Sequence, residues 1–327
     1  MKKTLLIILS LFILIIVAYF IYSPVPEGNG SQFNKKRNGI WMAHSWFDEY
    51  HSEEEIFELG KRLKEYDIKY IYIHVGPLNQ DGGIPHYSEE IPKGFIHSIK
   101  GMNPELMILA WIGGKNKAFG GKVDLGSGKV IDEISRVSRE LVLLGFDGIH
   151  INIEPLIDGD RKFLDLLRSI RKEIGEQKIL SVAAMKWRFF NLPHIWHSKW
   201  FWSSGYYKEI GKLVDQLVVM VYDTAIPLKK LYIWYVKNQT VKVTSAVAGL
   251  RNPGPEILIG LPAYDEKRLT HRPDVENIEN GLYGVIAGLM DERSDKSSFG
   301  GIAIYSYWVM DEREWRGYLM LWKGLAI

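Results

Sequence analysis

A short alternating run near the middle of the chain carries residue types that can do acid–base chemistry. His150, Asn152 and Glu154 alternate with isoleucines, and a proline follows. Because successive side chains of a β-strand point to opposite faces, these three polar side chains would share one face. A glutamate at the end of such a strand, in a partly dry site, has a raised pKa that suits a general acid. A solvent-facing edge strand gives the same alternation, so the surrounding elements must decide between an active site and a surface.

Strand-like apolar runs recur along the chain with helical patterns between them. The predicted strands are Gly39–His44, Tyr70–Val75, Met107–Ile112, Gly148–Glu154, Ile179–Met185, Leu217–Asp223, Ile257–Pro262 and Gly301–Tyr307. Most are apolar throughout, as in strands buried on both faces of a parallel sheet. Eight such β/α repeats predict an α/β fold, the (β/α)8 TIM barrel. A doubly wound sheet is the alternative, but no glycine-rich nucleotide-binding loop follows the first strand.

The ends of the predicted strands carry the candidate site residues. In a (β/α)8 barrel the active site lies at the C-terminal ends of the strands. The fourth strand ends with Asn152 and Glu154, and the sixth ends with Tyr222 and Asp223. Residues i and i+2 of a strand lie roughly 6–7 Å apart on one face. Asn152 could therefore contact one part of a bound ligand while Glu154 protonates another part of it.

These strand ends resemble those of the family 18 glycoside hydrolases, which are chitinase-like (β/α)8 enzymes. The D-G-x-D-x-D-x-E strand of that family aligns with Asp147–Glu154, and its M-x-Y-D strand aligns with Met220–Asp223. Glycine pairs on the third and eighth strands match as well. His150 and Asn152 replace two of the family's aspartates. The resulting Asn-x-Glu pair is similar to that of the family 85 endo-β-N-acetylglucosaminidases.

The resemblance implies a role for each matched residue. Glu154 would be the general acid and base, and Asn152 would hold the acetamide group of the substrate, whose oxygen attacks the anomeric carbon. Tyr222 would donate a hydrogen bond to that oxygen, and Asp223 would bind sugar hydroxyls or Asn152. Such an enzyme cleaves a β-linkage next to an N-acetylhexosamine with retention and needs no cofactor.

Aromatic residues near strand ends are candidates for stacking on the sugar. The resemblance assigns this role loosely to Tyr305 on the eighth strand, with Trp308 close by, and Trp41 near the end of the first strand is a further substrate-binding candidate. His150 lies deeper on its strand, where a buried, hydrogen-bonded histidine is the expected state and a proton relay is the alternative.

The composition narrows the function classes. Of 327 residues, 41 are basic and 39 acidic, which gives a net charge of +2 and no dense basic patch that would indicate nucleic acid. The chain has no cysteine, which excludes disulfides, thiol nucleophiles and cysteine-bound metals. No histidine spacing indicates a metal site either. The 11 tryptophans suit both a large core and a carbohydrate site.

The N-terminus predicts a membrane segment. After Lys2 and Lys3, the 19-residue run Thr4–Tyr22 has no charge and is long enough to span a bilayer. Flanking lysines orient it with the N-terminus in the cytoplasm. A cleaved signal peptide is the alternative, but the run ends in bulky residues without a small-residue cleavage site. We therefore expect an anchor or signal segment over residues 1–22, a polar linker over 23–37 and a catalytic domain over 38–327. That domain would lie outside the cytoplasm at the cell membrane, or be secreted after cleavage.

Three functional hypotheses remain at this point. The first is a substrate-assisted glycosidase acting on an N-acetylglucosamine-containing glycan: a chitin-like oligosaccharide, an N-glycan core or a cell-wall polysaccharide such as peptidoglycan. The second is a retaining glycosidase with a nucleophile on strand seven. Its candidates, Asp265 and Glu266, come late, after Pro262, which disfavours this mechanism. The third is a non-catalytic carbohydrate-binding protein on the same barrel, against which the retained Glu154 argues.

Overall fold

A closed barrel of eight parallel strands forms the centre of the computed structural model, which describes residues Leu14, Val17, 19–189 and 200–326. The barrel strands are β1 Asn38–Met42, β2 Ile68–Pro77, β3 Met107–Lys115, β4 Gly148–Glu154, β5 Ile179–Ala184, β6 Gln216–Met220, β7 Glu256–Pro262 and β8 Phe299–Tyr305. They are ordered around the barrel as they occur in the chain, and β8 pairs with β1. The eight predicted strands and the (β/α)8 architecture are confirmed, except that the sixth strand ends at Met220 and not at Asp223.

A helix follows each strand and returns the chain to the N-terminal end of the barrel. These helices are α1 Glu53–Glu65, α2 Glu90–Met102, α3 Gly128–Leu144, α4 Arg161–Ile174, α5 Ser204–Gly211, α6 Lys229–Val247, α7 Ile278–Met290 and α8 Glu312–Tyr318. A short helix, Ser45–Asp48, precedes α1, and a two-residue strand pair, Lys186–Trp187 with Phe201–Trp202, lies after β5. The loops between each strand and its helix therefore form one end of the barrel, here called the mouth.

Local sequence signals account for where several helices begin. Ser52 and Glu55 form a capping box at α1, because each side chain bonds to the backbone N–H of the other residue. The Asp160 carboxylate caps α4, and Asp311 forms a capping box with Glu314 at α8. These caps satisfy N–H groups that a helix cannot pair internally, and they fix the residues at which the helices begin.

The interior of the barrel is a layer of buried side chains, half of them aromatic and half aliphatic. Its members are Trp41, Tyr70, Tyr72, Leu109, Trp111, Val218, Leu258 and Ala303. The second apolar layer lies between strands and helices and includes Ile149, Ile151 and Ile153. The alternation of β4 is thus that of a barrel strand. β4 pairs with β3 on one side and β5 on the other, so the edge-strand interpretation is wrong.

The segment before β1 packs along the outside of the barrel. Gly30 N donates to Leu321 O at 2.7 Å, and the Asn34 amide donates to Asp67 at 3.0 Å. The stretch predicted as a polar linker is therefore held against the domain over this part. Most of the predicted membrane segment Thr4–Tyr22 lies outside the described residues. Within the described part of the chain, no helix has the length and apolar character needed to span a membrane.

Candidate active site

A cavity of about 910 Å³ opens at the mouth of the barrel, and six of the seven predicted site residues line it. Asn152 and Glu154 come from the end of β4, Tyr222 and Asp223 from the turn after β6, and Tyr305 and Trp308 from the end of β8 and the loop beyond it. The register of the sheet places Asn152 beside Gly113 of β3, where the lack of a side chain leaves room. The barrel therefore brings together residues separated by more than 150 positions.

Glu154 lies in an environment that favours its protonated form. Its surrounding packing excludes water and raises the pKa of the carboxyl above its usual value, and the nearby Asp223 carboxylate acts in the same direction. The Lys186 ammonium and a hydrogen bond from Asn152 lower this pKa and partly offset the effect. A carboxyl group with a raised pKa keeps its proton closer to neutral pH, as a general acid requires.

Asn152 has a hydrogen-bonding capacity that the described part of the chain leaves unused. Its amide interacts with the Glu154 carboxyl. Its oxygen Oδ1 is buried and has no hydrogen-bond partner among the described residues. A buried acceptor without a partner costs free energy on the order of 1–3 kcal/mol. Since Asn152 lines the cavity, an N–H group of a bound ligand is a fitting partner for this oxygen.

Three tyrosines form one wall of the cavity. The rings of Tyr222 and Tyr305 stack with centroids 5.6 Å apart, and the Tyr264 ring meets both edge-on at 6.1 and 5.9 Å. Burial holds the pKa of Tyr222 well above its ordinary value, so the hydroxyl stays protonated and can donate a hydrogen bond. Tyr222 therefore offers a fixed, neutral donor beside Glu154.

Asp223 is held in a turn that directs its carboxylate to the cavity wall. Its backbone is in the left-handed region, with φ of 53°. The Tyr264 hydroxyl donates to Asp223 Oδ1 at 3.0 Å, and Thr270 Oγ1 lies 3.4 Å from the same oxygen. The next residue, Thr224, donates its backbone N–H to the buried Glu276 carboxylate at 3.0 Å, which anchors the turn.

His150 lies below the cavity in the barrel interior and is fully buried. Trp41 Nε1 donates to His150 Nε2 at 3.2 Å, so Nδ1 carries the proton and lies 2.8 Å from Ser181 Oγ. Ser181 then donates to Gln216 Oε1 at 2.8 Å. Burial lowers the pKa of His150 to about 3, and the ring is neutral at physiological pH. Both ring nitrogens are thus occupied within the core, which matches the expected buried, hydrogen-bonded state.

Trp41 requires a correction. We expected it among the substrate-binding residues, but its side chain is 0% exposed and does not line the cavity. Its ring contacts Tyr305 edge-on at 5.6 Å and His150 at 5.7 Å. Trp41 belongs to the interior layer of the barrel, so its side chain supports Tyr305 from below. Trp308, by contrast, is 47% exposed at the cavity.

Two residues of the cavity were missed by sequence reasoning. Lys186 follows β5 and interacts electrostatically with both Glu154 and Asp223, while burial lowers its pKa. Tyr264 follows β7 and holds Asp223. Both are the first polar residues beyond a predicted strand, so the rule that located Glu154 would have found them. Glu266, the alternative nucleophile, lies exposed at the rim and pairs with Arg268, which lowers the pKa of its carboxyl.

In the described ranges, no group of three or more histidine, aspartate or glutamate side chains is arranged around a common point. The charged groups around Asn152 in the cavity are the Glu154 carboxyl with its raised pKa, the Asp223 carboxylate and the Lys186 ammonium group. Together with the tyrosine wall, these groups suit protonation of a leaving group and hydrogen bonding to a polar, ring-shaped ligand.

The sequence and the fold both match known carbohydrate-active proteins. Residues 44–311 match the family described as Glycosyl hydrolases family 18. Curated protein sequences give no match to the chain.

Three solved structures show the same fold at low sequence identity. The spore cortex-lytic enzyme SleL of Bacillus cereus has a TM-score of 0.56 at 12% identity, covering 86% of this chain and 73% of its own. A glycoside hydrolase family 18 N-acetylglucosaminidase from Paenibacillus barengoltzii has a TM-score of 0.55 at 13% identity, with coverages of 88% and 99%. A chitinase from Chromobacterium violaceum has a TM-score of 0.53 at 15% identity, with coverages of 89% and 99%.

Proposed function

The chain belongs to glycosyl hydrolases family 18, and we propose that it cleaves a β-linkage next to an N-acetylhexosamine with retention of configuration. One observation carries the proposal: Asn152 Oδ1 is a buried acceptor without a partner, beside a glutamate whose pKa is raised. The N–H of an acetamide group is the donor that this oxygen lacks. An acetamide held there would have its own oxygen free to attack the anomeric carbon.

In the first step Glu154 gives its proton to the glycosidic oxygen as the bond from that oxygen to C1 breaks. The acetamide oxygen forms a new bond to C1 from the opposite face, and a cyclic oxazolinium ion results. Asn152 Oδ1 accepts the N–H, which becomes more acidic as positive charge develops on the ring. The Tyr222 hydroxyl donates a hydrogen bond to the acetamide oxygen and aligns that oxygen for attack. These interactions strengthen toward the transition state, which is where they accelerate the reaction.

In the second step Glu154, now a carboxylate, takes a proton from a water molecule whose oxygen attacks C1. The oxazolinium ring opens and the acetamide is restored, so the enzyme returns to its starting state. Two inversions at C1 give net retention. Lys186 favours this step because its charge stabilises the ionised form of Glu154. Glu154 thus needs a pKa that is high enough for it to donate a proton in the first step and low enough for it to accept one in the second.

Replacement of Glu154 by glutamine tests the proposal. Chitin oligosaccharides, peptidoglycan glycan strands and N-glycans should be offered to the wild type and to Glu154→Gln, with product release as the readout. Loss of a general acid typically costs 10²–10⁴-fold in rate, so we expect a loss of about that size. Glu266→Gln is the matched control, since Glu266 lines the same cavity but pairs with Arg268 at the rim.

The mechanism has its own readout. A thiazoline analogue of the N-acetyl group mimics the cyclic intermediate and should inhibit an active enzyme competitively. Loss of turnover in Glu266→Gln, together with no inhibition by the thiazoline, would instead support the strand-seven nucleophile, because a substrate-assisted enzyme should largely keep its activity in that variant. A wild type that binds all three glycans without cleaving any would show that the barrel is a carbohydrate-binding protein.

The cellular location proposed for this activity is the outer face of the cytoplasmic membrane. The support is the uncharged run Thr4–Tyr22 after two lysines, whose length suits a single spanning helix. Cell fractionation checks this placement. An anchored enzyme sediments with membranes, whereas a cleaved one appears in the medium with a lower molecular mass.

A further inference from the structure

The N-terminal segment and the mouth of the barrel are joined by one side chain. Lys230, in the first turn of α6, donates to the carbonyl oxygens of Tyr19, Phe20 and Tyr22 at 3.0, 3.1 and 2.7 Å. Its ammonium also lies 5.3 Å from the centre of the Tyr19 ring. Residues 19–21 are helical, and carbonyl groups at the end of a helix have no internal partner and attract a cation. Lys230 therefore ties the end of the uncharged run to the mouth.

The path of the chain after this contact is informative. α6 begins at the mouth and descends, whereas Gly30 and Asn34 bond near the opposite end, at Leu321 and Asp67. Residues 23–30, if extended, reach roughly 26–29 Å, about the length of the 19-residue helix α6. The chain thus enters at the mouth and runs down the outside of the barrel before β1 begins. A membrane segment ending at Tyr22 would place the mouth, not the lower end, next to the bilayer.

The same end of the barrel exposes apolar side chains from several loops. This apolar rim comprises Leu228, Leu231, Trp234, Leu269, Trp308 and Val309, each between 38% and 99% exposed. Four of them also line the cavity. Exposed apolar groups gathered at one end of a domain indicate a contact surface, and tryptophan and leucine are typical of surfaces that enter the interfacial zone of a bilayer.

We propose that the apolar rim rests on the membrane surface, so that the active-site cavity opens toward the bilayer and receives glycans held close to it. This inference rests on the proposed membrane anchor. The partner that contacts the apolar rim is the lipid interface. Lys229 and Lys267 are exposed beside Leu228 and Leu269 and suit the headgroups of an anionic bilayer. A glycan that is itself lipid-linked would present its sugars directly to the cavity.

The absence of cysteine makes a direct test available, because one introduced cysteine is a unique labelling site. The full chain carrying Leu269→Cys, labelled with an environment-sensitive fluorophore, is reconstituted into vesicles of phosphatidylcholine and phosphatidylglycerol. Leu143→Cys is the matched control: Leu143 is 73% exposed, but it lies at the end of α3, at the lower end of the barrel. We expect a blue shift and several-fold stronger quenching by brominated lipid for the probe at 269 than for the probe at 143.

A second pair of variants tests the role of Lys230. Lys230→Gln should reduce the quenching of the probe at 269, whereas Lys230→Arg should retain it. Lys172→Gln, which changes an exposed lysine in the last turn of α4 at the lower end of the barrel, should retain it as well. Equal quenching in the Lys230→Gln and Lys172→Gln variants would contradict the proposed contact.

Each remaining outcome is decisive. Equal, water-accessible emission of both probes on protein that floats with the vesicles overturns the proposal. A blue shift at 269 without quenching by brominated lipid shows that a second copy or another protein covers the rim, and overturns it too. Protein that does not float overturns the rim and the anchor together. Hydrolysis of soluble glycans is measured separately, so a failure here is distinguishable from a failure of the proposed activity.

Discussion

The rings of Tyr222 and Tyr305 stack with their planes 20° apart and their centroids 5.6 Å apart. Tyr222 follows β6 and Tyr305 ends β8, so the stack bridges the end of β7 and forms one wall of the cavity. Trp41 supports this wall from the barrel interior through its edge-on contact with Tyr305. The wall is thus part of the core, and its hydroxyl groups are held rigidly at the edge of the cavity.

Tyr222→Phe should keep the stack and lose only the hydroxyl group. If this hydroxyl aligns the acetamide oxygen, kcat should fall about 10–100-fold, as expected for one hydrogen bond of about 1.5–3 kcal/mol to a charged group. KM should change little, because the interaction strengthens in the transition state. Tyr232→Phe is the control, since that buried hydroxyl has no partner among the described residues and does not line the cavity. Equal kinetics of the two variants would remove Tyr222 from the mechanism.

Asn152 can be tested by restoring the carboxylate that the family carries at this position. In Asn152→Asp a negative charge two residues from Glu154 should raise the pKa of the glutamate further, because like charges disfavour ionisation. The alkaline limb of the kcat/KM profile should then move to higher pH. Asn152→Ala should lose most of the rate at every pH. Wild-type rates in the alanine variant would show that Asn152 Oδ1 does not hold the substrate.

Lys186 should also influence the alkaline limb of the kcat/KM profile, because its positive charge acts on the pKa of Glu154. Its ammonium lowers the pKa of Glu154, so Lys186→Met should let that pKa rise and shift the limb upward. The rate of the second chemical step should fall, since Glu154 must then act as an ionised base. Arg188→Gln is a useful comparison, because Arg188 lines the cavity but pairs with Asp158 at 3.5 Å. An unmoved limb in the Lys186 variant would show that this charge acts elsewhere.

His150 should make the fold sensitive to acid. Its pKa is about 3 in the folded protein and about 6.5 when unfolded. A group with a lowered folded pKa stabilises the fold above its unfolded pKa, and this contribution, on the order of a few kcal/mol, is lost as the pH falls from about 6.5 toward 3. The free energy of unfolding should therefore decline less steeply over this window in His150→Asn, although that variant is less stable at pH 7. His97→Gln, at an exposed position, should keep the wild-type slope.

Local patterns predicted much of the fold. The strands agree within a few residues, because each is a short apolar run that only a buried strand accommodates. The capping residues of α1 and α4 mark helix starts, since a cap acts within one turn. The sixth strand was predicted too long: it ends at Met220, and Asp223 lies in a left-handed turn held by Tyr264. The aromatic segment Lys229–Val236 is the first half of α6.

The sequence alone determined the barrel, the shared face of Asn152 and Glu154, and the placement of Tyr222 and Asp223 at its mouth, because these follow from periodicity and strand order. Only the tertiary structure decided that Trp41 is core, that Lys186 faces Glu154, and that Lys230 holds the end of the N-terminal run at the mouth. Each of these depends on which side chains from distant parts of the chain meet, and on how much water their contact excludes. No local pattern encodes such contacts, since they arise only when the barrel closes.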